Sequence, residues 1–184
     1  MEPFHVIVAD PPWKFGDKLP GASRGAERNY KTLSIEEICA FVDPNDPMIA
    51  PDAVLFLWRV SSMVEEAYRV VRAWGFTPKT EIVWLKQTAT GKPWFGMGRI
   101  TRAAHETCIV ATRGRPKVKV RNVRSVQQED MDSMTFNAAV GRHSEKPAGL
   151  YEIVEALYDG PYLELFARRS RECWTAYGDE LGDK

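Results

Sequence analysis

Short apolar runs alternate with amphipathic segments along the chain. The runs predict six strands, at about residues 5–9, 53–58, 81–86, 106–112, 162–167 and 173–177. Apolar residues at helical spacing predict helices at about 64–74 and 147–157, and a shorter helix is predicted at 34–41. Strands that alternate with helices predict an α/β domain with a mainly parallel sheet.

Local signals refine the ends of these elements. The segments 34–37 and 62–65 both have the pattern of a capping box, and Gly75 and Gly160 follow the last residues at helical spacing. Residues 14–31, 43–52 and 87–104 are predicted loops. Residues 113–124 carry six cations and no acid, and Val118 and Val120 alternate with charged neighbours. That alternation predicts an edge strand with one exposed face.

Composition narrows the class of protein. The 184 residues, with 25 basic and 25 acidic side chains, predict a single domain over 1–184 with no separate target-recognition domain. Cys39, Cys108 and Cys173 are scattered, which favours reduced thiols and a cytoplasmic protein. The three histidines are equally dispersed, so no metal site is expected. No stretch is apolar enough to span a membrane, and no signal peptide precedes the first predicted strand.

The sequence Asp-Pro-Pro-Trp directly follows the first predicted strand, at residues 10–13. Pro11 and Pro12 have fixed φ and no N–H, so together with the Asp10 carboxylate they offer a rigid set of acceptors. Such acceptors suit an exocyclic amine of adenine or cytosine, and Trp13 offers a face on which a planar base could stack. Acceptors that pull on the amine hydrogens free the nitrogen lone pair for an electrophilic methyl donor, for which S-adenosylmethionine is the obvious candidate. The alternative is a proline-rich turn with a packed tryptophan.

Other strand ends fit a nucleotide-like cofactor. Phe166 and Arg168 follow the fifth predicted strand, and Asp179 and Glu180 follow the sixth. Carboxylates at a strand end are well placed to bind the two hydroxyls of a ribose. The alternative is that they are solvated side chains near the C-terminus. Lys146 precedes a predicted helix and could reach a carboxylate, either Asp10 or one on the cofactor; the alternative is a surface lysine.

The basic segment is the first candidate for contacts with nucleic-acid phosphates. Its cations are Arg113, Arg115, Lys117, Lys119, Arg121 and Arg124, and Arg24, Arg28, Arg99 and Arg102 lie in predicted loops. Neutralised phosphates would make binding depend on salt. A solvated edge strand that cations protect from pairing is the alternative.

These motifs together resemble the DPPW-type N6-adenine methyltransferases, which include the catalytic subunit of the eukaryotic mRNA adenosine methyltransferase and small bacterial and phage enzymes. The resemblance covers most of the chain. Beyond residues 6–13, it rests on 29–30, Ser34 with the short helix that follows it, 105–108, 145–147, Tyr151, Ile153, 163–168 and 174–180.

The resemblance implies a Rossmann-like, S-adenosylmethionine-dependent methyltransferase fold in a permuted order, with helices on both faces of the sheet and the catalytic strand before the cofactor-binding strand. It implies that Asp10 and Pro11 engage the target amine within the catalytic motif, residues 10–13. The cofactor, whose product is S-adenosyl-L-homocysteine, would be bordered by Asp10, Lys146, Phe166, Arg168, Asp179 and Glu180. Trp13, Tyr30 and Glu106 would line the target-base pocket, and loops 14–31 and 141–147 would be mobile gates.

Three functions stay open at this point. The first is methylation of adenine N6 in nucleic acid, with DNA favoured by analogy with the small members and RNA as the alternative. The second is methylation of cytosine N4, because the same acceptors would serve that amine. The third is a non-catalytic subunit that binds nucleic acid or a partner. No obligate partner is indicated, and a monomer or homodimer is expected.

Overall fold

The computed structural model describes residues 2–14, 32–88, 90–96, 98, 100–128, 146–147 and 149–182. Within this part, seven strands form one sheet in the order β5-β3-β4-β2-β1-β6-β7. The strands are β1 (Phe4–Ala9), β2 (Ile49–Arg59), β3 (Thr77–Leu85), β4 (His105–Arg113), β5 (Val126–Gln128), β6 (Tyr162–Leu165) and β7 (Trp174–Tyr177). Neighbouring strands are parallel except at β4, which is antiparallel to β2 and β3. The prediction of a mainly parallel α/β sheet is thus confirmed, with one reversed strand inside it.

Helices cover both faces of this sheet. They are α1 (Ile35–Cys39), α2 (Val64–Ala73) and α3 (Gly149–Leu157), and a short 3₁₀ turn, Asp179–Gly182, follows β7. Ile7 and Ala9 of β1 pack in the core cluster that holds α1 and α2, whereas Val6 and Val8 pack in the cluster that holds α3. A strand covered on both faces has no polar side, which explains the unbroken apolar run in the sequence.

One of the two predicted capping boxes forms. The Ser34 side chain accepts a hydrogen bond from the backbone N–H of Glu37, and the Glu37 carboxylate accepts one from the Ser34 N–H at 2.7 Å. The second predicted box is wrong, because α2 has Met63 as its N-cap and no side-chain capping bond. A turn in which Met63 N–H donates to the Val60 carbonyl moves the helix start past Ser62.

The start of β2 also departs from prediction. Residues 49–52 were predicted as loop because of the prolines, but β2 begins at Ile49. Phe4 pairs with Ile49 and Val6 pairs with Val54, so the register shifts between these two pairs and Pro51 lies in the irregular stretch. A proline is tolerated there because no regular ladder bond is required of it.

The basic segment is not an edge strand, so that prediction is wrong. Within 113–124 only Arg113 belongs to a strand, as the last residue of β4. Gly114 then adopts a φ of 61° against Asp52, a close approach that leaves no room for a Cβ atom. The chain next runs along the end of α3, where the Lys119 N–H donates to the Leu157 carbonyl. The turn at Gly114 therefore overrides the alternation of Val118 and Val120.

None of the helices in the described ranges is both long enough and apolar enough to cross a lipid bilayer.

Candidate active site

Four strands bring the predicted site residues together at the end of the sheet where β1 finishes. This end is here called the Asp10 rim. Ala9, the last residue of β1, pairs with Leu57 of β2 and with Leu165 of β6. Leu165 in turn pairs with Tyr177 of β7. The residues that follow β1, β6 and β7 therefore leave the sheet side by side, at strand spacings of about 5 Å. The reversed strand β4 begins at the same rim.

An alternating chain of charged groups lies on this rim. The Lys146 ammonium group is 2.9 Å from Asp10 Oδ2 and 3.3 Å from Glu106 Oε2. Lys86 forms a second ion pair with Glu106. Asp10 follows β1, Lys86 follows β3, Glu106 lies in β4 and Lys146 precedes α3, so only the tertiary fold assembles this set. We call Asp10, Lys146, Glu106 and Lys86 the ion-pair chain.

The surroundings shift the pKa values in this chain in opposite directions. Burial raises the pKa of Asp10, and the charge and hydrogen bond of Lys146 oppose that rise. Burial acts in the same sense on Glu106, but Lys146 and Lys86 together outweigh it and hold the pKa of Glu106 below its usual value. Burial by itself would lower the pKa of Lys146, but Asp10 and Glu106 raise it. Lys146 therefore stays positively charged, and its charge favours the ionised form of Asp10.

Trp13 is not the open stacking face that the sequence suggested, and this expectation is wrong. Its side chain is only 4% exposed and packs in the core cluster of α1 and α2. Its indole N–H donates to the Trp58 carbonyl at 3.1 Å. Burial of a large apolar ring is favourable by about 25 cal/mol for each Å² of surface removed from water. The one polar atom of the ring, the indole nitrogen, keeps a hydrogen-bond partner. Trp13 thus ties the end of β1 to the end of β2.

The two proline carbonyls already accept hydrogen bonds within the chain. The Pro11 carbonyl accepts from the Trp13 N–H at 2.8 Å, and the Pro12 carbonyl accepts from the Leu33 N–H at 2.9 Å. The prolines have no N–H of their own, so both donors come from other residues. A carbonyl oxygen has two lone pairs, so each retains capacity for one further bond. These bonds fix the direction in which the carbonyls point.

Sequence reasoning missed two tryptophans beneath the ion-pair chain. The Lys146 ammonium lies 5.5 Å from the centroid of the Trp58 ring, and the Lys86 ammonium lies 5.1 Å from that of Trp84. The two rings meet edge to face, with centroids 6.5 Å apart. Both lie in predicted strands. Lys86 directly follows β3, so a tryptophan two residues before that lysine was the signal for Trp84. Lys146 comes from a distant segment, so no local pattern linked it to Trp58.

The predicted cofactor residues lie at the ends of β6 and β7. Phe166 has a φ of 61°, uncommon for a residue with a side chain, and its ring packs against Phe41 at a tilt of 37°, with centroids 4.3 Å apart. The Ala167 N–H donates to the Tyr177 carbonyl, which ties the two strand ends together. Arg168 is half-buried and Asp179 is exposed. Tyr30, loop residues 15–31 and 141–145, and the side chain of Glu180 lie outside the described residues.

Two cations of the basic segment are engaged within the protein. The Arg113 guanidinium donates to the carbonyls of Ala50, Pro44 and Ile49 at 3.2, 2.7 and 2.7 Å, which favours a structural role for it, and its role in phosphate binding stays a prediction. Lys119 donates to the Glu155 carbonyl and pairs with Asp159 at the end of α3. Both lie at the opposite rim of the sheet, because β4 runs away from the Asp10 rim. Arg115, Lys117, Arg121 and Arg124 are exposed.

Comparison with known proteins adds to this geometry. The chain is 28% identical over 187 residues to an N(6)-adenosine-methyltransferase MT-A70-like protein of Arabidopsis thaliana, covering 97% of this chain and 24% of that protein. It is 28% identical over 189 residues to the human N(6)-adenosine-methyltransferase catalytic subunit METTL3, covering 97% and 28%. It is 28% identical over 200 residues to the Type II methyltransferase M.MunI of a Mycoplasma species, covering 98% and 78%.

The chain thus spans about a quarter of the length of the plant and human relatives and most of the Mycoplasma enzyme. The sequence model of the MT-A70 family matches residues 4–180, which run from the start of β1 to the turn after β7. The match includes every member of the ion-pair chain and the ends of β6 and β7. The chain therefore belongs to the MT-A70 family of adenine N6-methyltransferases.

Proposed function

We propose that this protein transfers a methyl group from S-adenosylmethionine to the exocyclic N6 amine of adenine in nucleic acid, with DNA as the favoured substrate. The observation that carries the proposal is the position of Asp10. It is a partly buried carboxylate at the tip of a central strand, paired with Lys146 and flanked by proline carbonyls of fixed direction.

In this proposal Asp10 accepts a hydrogen bond from the adenine amine, and the spare lone pair of the Pro11 carbonyl accepts a second. Two acceptors on the amine hydrogens favour a pyramidal nitrogen whose lone pair is available for bond formation. Lys146 opposes the rise in the pKa of Asp10 that burial causes, so the carboxylate stays an acceptor. Glu106, held by two lysines, lies next to this acceptor and borders the space for the base. Catalysis is then mainly positioning.

The residues beside Asp10 fit the cofactor that this chemistry requires. S-adenosylmethionine, when bound, supplies an electrophilic methyl group. Lys146 has three donors, enough for Asp10, Glu106 and a further carboxylate. Asp179 offers acceptors for ribose hydroxyls, and Phe166 and Arg168 border the same strand ends. Since β1 and β6 are neighbours, this arrangement accords with the permuted order in which the strand with Asp10 precedes the cofactor strand.

The similarity to a Type II methyltransferase supports DNA as the substrate. The alignment with that relative covers 98% of this chain and 78% of the relative. The Mycoplasma protein is a Type II methyltransferase, and we extend that activity here to a site-specific DNA adenine methyltransferase. RNA adenine methylation is the second candidate, supported by the adenosine-methyltransferase descriptions of the other relatives.

Nucleoside mass spectrometry would test the proposal. The purified protein and S-adenosylmethionine are incubated in one reaction with unmethylated genomic DNA and in a second reaction with unmodified transcribed RNA. The nucleosides in each digest are then analysed. We expect N6-methyldeoxyadenosine from DNA, and none with Asp10→Asn. N6-methyladenosine from RNA alone would replace DNA as the substrate. N4-methyldeoxycytidine, or no product from either polymer, would refute the proposal.

A further inference from the structure

The segment between β3 and β4, residues 86–104, has a composition unlike the rest of the chain. It contains four cations, Lys86, Lys92, Arg99 and Arg102, and no acidic residue, although the whole chain has equal numbers of both. Trp94 and Phe95 lie between these cations. We call residues 86–104 the β3–β4 loop. Cations that alternate with aromatic rings are typical of surfaces that bind a single nucleic-acid strand.

The β3–β4 loop rises from the Asp10 rim. Leu85, the last residue of β3, pairs with His105, the first residue of β4, so both ends of the loop lie beside Glu106. The first loop residue, Lys86, is itself a member of the ion-pair chain. The exposed members of the basic segment begin, in contrast, at the opposite rim. A nucleic-acid strand whose target nucleobase reaches Asp10 passes close to the two ends of this loop.

Backbone hydrogen bonds hold the described part of the loop as a hairpin. The Lys86 N–H donates to the Ala104 carbonyl at 2.9 Å, and the Trp94 N–H donates to the Lys86 carbonyl at 3.0 Å. The Gly96 N–H donates to the Ala103 carbonyl at 3.0 Å. A Cβ atom at Gly96 would collide with that carbonyl and with the Trp94 side chain, so glycine is required there. These bonds order the backbone from which the loop side chains project.

Phe95 stands out within this hairpin because its side chain is 76% exposed, and Ile100 is 98% exposed. The Arg102 guanidinium lies 5.0 Å from the centroid of the Phe95 ring. The ring thus has a cation near one face, and much of its surface faces solvent. An exposed aromatic ring next to a fixed positive charge suits a ligand that is both planar and anionic.

From these observations we infer that Phe95 and Arg102 form a stacking platform for an unpaired base of the substrate strand, at a nucleotide that flanks the target adenine. Arg102 and Lys92 contact the phosphates on either side of that base. The inference rests on the proposed function, because it takes the nucleic-acid strand to be the substrate of Asp10. It identifies the substrate's accessible form as locally single-stranded, since a stacked duplex base has no free face.

A series of substitutions at Phe95 would test the platform. The dissociation constant of a fluorescein-labelled single-stranded adenine-containing oligonucleotide is measured for the full chain and for Phe95→Trp, Phe95→Leu and Phe95→Ala. Stacking requires an aromatic ring, so Phe95→Trp should bind within about threefold of the native chain, whereas Phe95→Leu and Phe95→Ala should bind about tenfold more weakly. Met48→Ala, at a residue that is 50% exposed and distant from the Asp10 rim, is the matched control and should bind normally.

A second readout locates the contact on the strand. 2-Aminopurine placed at each position next to the target adenine should be quenched on binding at one flanking position, and that quenching should vanish in Phe95→Leu. Equal affinity for Phe95→Leu and the native chain, an equal loss in Met48→Ala, or no binding by the native chain would overturn the inference. A change in self-association without a change in oligonucleotide affinity, measured by light scattering, would also overturn it.

These outcomes separate the platform from the proposed function. Methyl transfer with normal strand affinity in Phe95→Leu would leave the proposed function standing and remove the platform. A tenfold loss in that variant, in a protein that yields no methylated nucleoside, would support a stacking contact between Phe95 and the strand. It would remove the methyltransferase proposal and, with it, the assignment of that strand as the substrate of Asp10.

Discussion

At the scale of single residues, the central feature is a carboxylate that burial and a neighbouring lysine pull in opposite directions. Burial raises the pKa of Asp10 and Lys146 opposes that rise. An ionised carboxylate accepts a hydrogen bond from an amine more strongly than a protonated carboxyl group does, so in the proposed mechanism the balance between the two effects affects the pH dependence of methyl transfer. Two substitutions therefore test different properties. Replacing Asp10 removes the acceptor, and replacing Lys146 changes the pKa of the acceptor.

Replacement of Asp10 by Ala is expected to abolish methyl transfer, with a loss of at least about 100-fold because an acceptor aimed at the amine disappears. Affinity for S-adenosylmethionine should change little. Single-turnover methyl transfer and equilibrium dialysis measure the two quantities. Asp179→Asn is the contrasting variant and should weaken cofactor binding more than it slows transfer. Full turnover by Asp10→Ala would remove the role proposed for the acid.

Replacement of Lys146 by Met should move the acid limb of the pH–rate profile to higher pH. Lys146 lowers the pKa of Asp10, so its loss raises that pKa and protonates the acceptor at a pH where the native site is still ionised. Lys146→Arg retains the charge and should keep the limb near its native position. The profile is measured at saturating cofactor, and an unchanged limb in Lys146→Met would contradict this account.

At the scale of elements, hydrogen bonds between side chains and backbone decide where several segments begin and end. α1 starts at a reciprocal capping box, whereas α2 starts after a backbone turn with no side-chain cap. Arg113 joins the end of β4 to the irregular start of β2 through three carbonyls. These features make two predictions about stability, each with a matched control in the chain.

The two predicted caps should differ in their contribution to stability. Ser34→Ala removes a capping bond and should lower the free energy of unfolding by about 1 kcal/mol. Ser62→Ala, at the position where the sequence predicts a cap that does not form, should have almost no effect. Urea denaturation measures both, and equal losses would contradict the assignment of the α2 start.

Arg113 should contribute to stability and not to nucleic-acid affinity. Arg113→Met leaves three carbonyls without their donor and should cost about 2 kcal/mol in urea denaturation. Arg115→Met, whose side chain is exposed, should be nearly neutral. Oligonucleotide affinity, measured at a temperature where the protein is folded, should be unchanged by Arg113→Met; a large loss would support its predicted role at phosphates.

At the scale of the whole molecule, charge is distributed unevenly between the two rims of the sheet. The β3–β4 loop and the ion-pair chain lie at the Asp10 rim, whereas the basic segment starts at the opposite rim and then runs back along the side of α3 to β5. Cations near the Asp10 rim should therefore contribute more to nucleic-acid affinity than cations near the opposite rim. A cytoplasmic location and a monomeric or homodimeric state stay predictions.

Salt titrations of oligonucleotide binding should rank the exposed cations of the basic segment. Replacing Arg121 and Arg124 by Ala should flatten the slope of log affinity against log salt by about 1, because these residues lie on the return toward the Asp10 rim. Replacing Arg115 and Lys117 by Ala removes the same charge near the opposite rim and should leave the slope unchanged. Equal slopes for the two double variants would contradict this arrangement.

The local sequence determined most elements and the identity of the central motif. Among the described residues, apolar runs predicted six of the strands and the three helices α1, α2 and α3, because burial on both faces of a sheet or one face of a helix requires that pattern. The motif at residues 10–13 pointed to an amine acceptor through the chemistry of proline and aspartate alone. These properties depend on residues close in sequence, where spacing and residue type carry the information.

Only the tertiary structure decided which residues meet. The pairing of Asp10 with Lys146, residues 136 positions apart, depends on the arrangement of β1, β4 and α3 around one rim. The same packing buried Trp13, engaged Arg113 at carbonyls and left Phe95 exposed, although the sequence suggested a free Trp13 and a phosphate-binding Arg113. A side chain's exposure and partners are set by the elements that pack against it, and its own neighbours in sequence do not specify them.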